Sequence, residues 1–220
     1  MRKKNVIKLS VTARVIIALA CWGHSRWNAW FGNPPEAPYA PLSEPGRILL
    51  TFGDEDGLSR NISWQYDSIV HPSFVELADT LSKDTTVIKA QGETFSSRSG
   101  KAAYYVARLR SLKPSRCYSY RVCSNGNYSA WKHFQTHNQP NQQNYSFLYI
   151  GDVQDTINGK TNTYLKKALQ QHPETEFLVC GGDLTERPID AYWEETFRGL
   201  DSIGQCLPEL IVNGNHDYLK

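Results

Sequence analysis

SFLYIGDVQDTINGKTNTYLKKALQQHPETEFLVCGGDLTERPIDAYWEETFRGLDSIGQCLPELIVNGNHD, residues 146–217, is the stretch on which the fold turns. Residues 146–150 (SFLYI), 176–180 (EFLVC) and 207–212 (LPELIV) are short apolar runs of the length of buried strands. Between them, residues 158–171 and 189–203 place apolar side chains at helical spacing, Tyr164, Leu165, Ala168 and Leu169 in the first and Ala191, Trp193, Phe197 and Leu200 in the second. Strand, helix, strand, helix, strand predicts parallel pairing through right-handed crossovers, an α/β architecture with further strands expected.

Each predicted strand runs into a turn that contains glycine and a potential metal ligand: Gly151-Asp152, Gly182-Asp183 and Gly214-Asn215-His216-Asp217. Asp152, Asp183 and Asn215 are 31 and 32 positions apart, about one strand-helix unit each. The carboxyl ends of parallel strands lie along one edge of the sheet, where ligands bind, so three oxygen donors are expected to converge on one rim. Carboxylates and a side-chain amide suit hard or borderline divalent cations, and a carboxylate can bridge two of them. Two ions about 3.5 to 4 Å apart position a hydroxide and stabilise in-line displacement at phosphorus. His216 would then face the leaving-group side as proton donor or phosphate clamp, with Asp217 fixing its tautomer.

Working outward, residues 46–137 carry short β-type runs at 47–52, 61–66, 73–77, 85–89, 101–109, 117–123 and 132–136. Turn formers such as Lys113-Pro114 and Asn125-Gly126-Asn127 punctuate them. This predicts an antiparallel β-sandwich. Aromatic residues make up 12% of the chain, and in this region they are expected to serve core and cross-strand packing. Residues 138–145, polar up to Tyr145, read as a linker to the α/β domain at 146–220. Before the sandwich, residues 28–45 hold Pro34, Pro35, Pro38, Pro41 and Pro45 and read as an extended lead-in without a helix.

Residues 1–27 have the layout of a targeting segment. Arg2, Lys3 and Lys4 precede the apolar run VTARVIIALAC at 11–21, which is too short to span a bilayer. Ala18-Leu19-Ala20-Cys21 also resembles a bacterial lipoprotein box, which makes Cys21 a candidate lipid anchor and predicts a periplasmic or cell-surface location. Cys117 and Cys123 would lie about 20 Å apart on one strand and cannot pair. With 24 basic and 22 acidic residues the formal charge is +2, which argues against a nucleic-acid partner.

The motifs GDVQ at 151–154, GGDLTE at 181–186 and GNHD at 214–217 together resemble the calcineurin-like metallophosphoesterases. Residues 47–53 (RILLTFG) and 112–122 (LKPSRCYSYRV) look like the fibronectin-type-III-like domain of purple acid phosphatases. The resemblance covers about residues 45–220. It implies a phosphoester hydrolase acting on a phosphorylated substrate with two divalent ions, Fe, Zn or Mn. By the same resemblance Asp152 would bind the first ion, Asp183 would bridge both, Asn215 would bind the second, and His216 would contact the phosphate.

Three departures qualify this picture. Gln154 stands where the superfamily often has a His ligand and is at best a weak oxygen donor. Glu186 stands where the purple enzymes have a Tyr, so no purple site is expected. The family's later His and His-x-His ligands have no counterpart after His216, the last His of the sequence. The expectation is therefore a chain carrying half of the ligands, inactive alone, ending after the GNHD motif and leaving an open strand edge with uncovered apolar faces. The alternative is a non-catalytic exported β-sandwich binding module with a remnant phosphoesterase half.

Overall fold

The structure, a computed structural model, describes residues 2–31, 36–39, 41–54, 57–136, 144–156 and 158–218. Most of the expected 138–145 linker lies outside the described residues. The chain divides into two compact units, 1–36 and 37–220.

The first unit is one helix, α1 (Arg2–Phe31). It corrects the expected lead-in, because residues 28–31 are helical rather than extended. The sequence up to Phe31 holds no Pro, so every position there can keep its helical backbone hydrogen bond. Val15, Ile16, Ile17 and Leu19 on α1 are all exposed. No helix of the described residues is long and apolar enough to cross a membrane.

The second unit begins with the sandwich. One sheet contains β1 (Gly46–Phe52), β2 (Arg60–Gln65), β5 (Gln91–Ser97) and β6 (Gly100–Leu109). The other contains β3 (Ser73–Asp79), β4 (Thr85–Lys89), β7 (Arg116–Ser124), β8 (Asn127–Tyr128) and β9 (Lys132–Thr136). Neighbouring strands within the sandwich pair antiparallel. The period of two sets the core: Val75 and Leu77 on β3, Ala103, Tyr105, Ala107 and Leu109 on β6, and Tyr118, Tyr120 and Val122 on β7 all point inward. Trp64 stacks on Tyr105 with centroids 5.5 Å apart, and its Nε1 donates to Ser124 Oγ across the sheets at 2.9 Å. The large aromatics thus serve packing, with the indole N–H satisfied.

Two strands were not legible. The β5 segment QGETFSS is exposed at every position, so no alternation marks it; pairing with β6 makes it a strand. The β8 pair is held by a hairpin turn at Asn125-Gly126, both at positive φ (50° and 81°), which matches the twist of the flanking strands.

After the sandwich come β10 (Phe147–Ile150), α2 (Thr161–Gln171), β11 (Phe177–Cys180), α3 (Asp190–Leu200), α4 (Ile203–Cys206) and β12 (Glu209–Ile211). The three strands are parallel, as the sequence predicts. The second expected helix is divided in two, because Asp201 takes φ 45° and breaks the turn between α3 and α4. Leu165, Leu178, Cys180, Leu184, Leu200 and Ile203 form a second core on the helix-covered side of the sheet. The opposite face leaves Phe147, Tyr149 and Val212 exposed.

The expected open edge at the third strand is not observed. β12 pairs in parallel with β1 of the sandwich, Thr51 opposite Glu209, which gives one sheet ordered β10-β11-β12-β1-β2-β6-β5. The open edge of the α/β part is instead β10, beside a cavity of about 850 Å³ under α2.

Side chains reinforce this junction. A register shift between Gly46 and Leu49 marks a bulge in β1, and Arg47 within it has φ 52°. A bulge re-aims a side chain out of the regular pleat. The Arg47 guanidinium donates to Asp190 Oδ1 at 2.7 Å and to Glu194 Oε2 at 3.2 Å on α3, with only 6% of its side chain exposed. Tyr120 Oη donates to the Gln205 carbonyl at 2.7 Å.

Candidate functional site

The parallel ladder places the three Gly-containing turns side by side at the carboxyl ends of β10, β11 and β12. Hydrogen bonds then tie each turn to the next. The Asp152 N–H donates to the Gly182 carbonyl at 3.1 Å, joining the first turn to the second. The His216 N–H donates to Asp183 Oδ1 at 2.8 Å, joining the second to the third. Thr185 Oγ1 adds a longer bond of 3.3 Å to the His216 carbonyl.

Glycine is required where these turns meet. Gly182 has φ 98°, and a Cβ there would stand 2.7 Å from Gly214 N. A Cβ on Gly214 would run into Asp183 Oδ1. The two loops therefore touch backbone to backbone, which only glycine permits. Asp152, Gln154 and Asp183 also take positive φ, at 48°, 36° and 51°. Asp tolerates the left-handed region better than most residues, and such conformations collect at functional sites.

Asp217 is 8% exposed and is the structural centre of the junction. Its Oδ1 accepts from Leu184 N at 2.9 Å and Thr185 N at 3.2 Å, while Oδ2 accepts from Gly214 N at 2.8 Å. One carboxylate thus closes two loops. The expectation that Asp217 orients the His216 ring is corrected: both its oxygens are used by backbone N–H groups. The Glu186 carbonyl lies 2.8 Å from His216 Nδ1 and fixes that nitrogen. A carbonyl can only accept, so Nδ1 carries the proton of this bond. Glu186 therefore acts on the site through its backbone, and its side chain is exposed.

Of the expected oxygen donors, Asp152 and Asn215 are exposed on the rim, and Asp183 and Gln154 are half-buried. Asp183 spends Oδ1 on the His216 amide, and Oδ2 has no hydrogen bond among the described residues. Among the described residues no group of three His, Cys, Asp or Glu side chains comes together as a metal cage. A pair of divalent ions therefore does not fit the described donors by themselves. The arrangement supplies oxygen donors from three turns and a histidine beside them, without a closed coordination sphere.

Sequence reasoning missed Asp155. Its carboxylate accepts from Thr161 N and Thr161 Oγ1, each at 2.7 Å, and from Thr156 N at 2.9 Å. Partial burial works against its charge, yet the Thr161 hydrogen bonds hold the carboxyl below its ordinary range. The bonds pin the loop after Asp152 to the start of α2, which begins three residues later than expected. Nothing in local spacing announces such a contact.

Residues 45–136 match the family model described as the purple acid phosphatase N-terminal domain. Two solved structures share the fold. One is a purple acid phosphatase, PPD1, from yellow lupin (Lupinus luteus) seeds, with 18% identity over 80% of this chain and a TM-score of 0.66. The other is PhoD, with 13% identity over 81% of this chain and a TM-score of 0.51. The matches span 36% and 40% of the length of those two proteins. No curated protein matches the chain.

Proposed function

We propose that this chain carries the sandwich and part of the catalytic centre of a metal-dependent phosphoester hydrolase. The observation that supports the reading most strongly is the interlock of three strand-end turns. It sets Asp183, with one carboxylate oxygen uncommitted among the described residues, against the turn that bears Asn215 and His216. Asp152, Asp183 and Asn215 would offer oxygen donors to divalent ions, with Gln154 a weaker neutral donor. Bound metal would supply charge to polarise the phosphoryl group and lower the pKa of water.

The protein's own contribution is positional. Asp217 fixes the two loops through three backbone N–H groups, and the Glu186 carbonyl fixes the tautomer of His216. His216 Nε2, once protonated, is then suited to clamp a phosphoryl oxygen or give a proton to the leaving group. Since the described donors do not close a metal cage, turnover by this chain alone is expected to be slow or absent. We further assign residues 1–27 to an export-type segment with Cys21, exposed on α1, as its candidate anchor.

Hydrolysis of p-nitrophenyl phosphate with added Mn²⁺ or Zn²⁺ tests the chemistry, with Asp183→Asn measured beside the wild type. The proposal expects that any metal-dependent rate disappears in Asp183→Asn. Equal metal-dependent rates in the two proteins would remove the site from consideration.

A further inference from the structure

Glu209 has no assigned task, and its surroundings are unusual for a carboxyl group. It lies on β12, six residues before Asn215, and is 1% exposed. Its Oε2 accepts from Cys180 Sγ at 3.8 Å, a long and weak bond, and its Oε1 has no partner among the described residues. Gly204 on α4 passes so close that a Cβ there would stand 2.6 Å from Oε1, and the same Cβ would meet Leu49 at 3.3 Å and Leu200 at 3.5 Å. The packed elements thus present Cys180 from β11, Leu49 from β1, Leu200 from α3 and Gly204 from α4. Cys180 is the titratable group among them. Burial above all, and then the neighbouring Glu209 and Asp217, keep its thiol protonated.

With no cation beside it among the described residues, a carboxylate here is strongly disfavoured, whereas the neutral acid is tolerated. Burial pushes the Glu209 carboxyl up to about 8. The strand that bears it is only three residues long; it is held by three register pairs with β11, one of them Leu178–Glu209, and by Thr51–Glu209 as its one pair with β1. Seating of β12 is therefore sensitive to one proton.

We propose that Glu209 is a proton-controlled latch: while it is neutral, β12 stays seated and holds Asn215 and His216 against Asp183, and when it ionises the strand and its turn leave that position. The consequence for the site rests on the function proposed above, but the latch itself does not. It would favour an assembled site in acid over one in alkali.

The test avoids hydrolysis. Peptide-resolved alkylation of Cys180 by N-ethylmaleimide is followed from pH 5 to 9 in the wild type and in Glu209→Gln, which keeps the shape and removes the proton. The ratio of the two rates removes the part of the thiol's titration that the two proteins share. It is expected to lie within about fivefold of one at pH 5 and to rise on the order of tenfold per pH unit, levelling off near pH 8. A ratio that stays flat across the range overturns the latch. Should Glu209→Gln not fold, the same ratio is taken against Glu209→Leu, which has no titrating group and favours the same apolar surroundings.

Discussion

Removing the Asp217 carboxylate should unfasten the junction of the second and third turns. In Asp217→Ala three backbone donors, Leu184, Thr185 and Gly214, lose acceptors at 2.9, 3.2 and 2.8 Å. A buried donor left without a partner costs about 1–3 kcal/mol. The losses share one carboxylate, and Gly214 is half-buried, so they do not sum fully; about 4 kcal/mol is expected. Asp217→Asn keeps one oxygen for Leu184 and Thr185 but turns an NH₂ toward Gly214 N, for a loss of about 2 kcal/mol. In urea, with m about 2 kcal/mol/M for a chain of this size, these become midpoint shifts of about 2 M and 1 M. The order Ala worse than Asn is part of the prediction, with m unchanged in both. An Asp217→Ala midpoint within about 0.25 M of the wild type would refute the assignment of Asp217 as the tie between the loops.

Gly182→Ala places a Cβ 2.7 Å from Gly214 N at φ 98°. It should cost about 2–3 kcal/mol in thermal or urea unfolding, and a cost under about 0.5 kcal/mol would contradict the backbone contact. Arg47→Met strands Asp190 and leaves Glu194 with Arg198 alone; the two carboxylate side chains are 27% and 31% exposed. That exposure reduces the penalty of a broken buried pair to about 2 kcal/mol. Hydrogen exchange on α3 should accelerate, and unchanged exchange would deny the seam its role. For global stability, Glu209 has a folded pKa raised to about 8 from an ordinary 4.5. Its contribution is therefore complete below pH 4.5 and is lost as pH rises to about 8, at up to about 1.4 kcal/mol per unit. Glu209→Gln should flatten that slope in urea titrations; equal slopes would contradict the assigned burial.

The α/β order and the strand-end turns could be read from sequence because buried parallel strands are short apolar runs and the turns carry Gly with Asp or Asn. Alternation exposed β3, β6 and β7 for the same reason. Pairing that depends on distant sequence could not be read. β5 is polar and fully exposed, and β12 joins β1 through a contact that no local pattern encodes. At the site, the residue types at 152, 183, 215 and 216 marked the turns that the structure brings side by side, whereas the contacts of their neighbours depended on loop geometry. Asp217 binds backbone amides rather than the imidazole, and the Glu186 carbonyl takes the place expected for Asp217. Glu209 reads as an ordinary polar strand residue until β1, α3 and α4 close over it.

The most direct test of the central claim, that these three turns are the metal-binding part of a phosphoesterase site, is Mn²⁺ titration followed by amide NMR. Paramagnetic broadening is predicted to centre on the amides of residues 151–154, 181–185 and 213–217 and to vanish in Asp183→Asn. Broadening that is identical in Asp183→Asn, or that centres elsewhere on the chain, would contradict it.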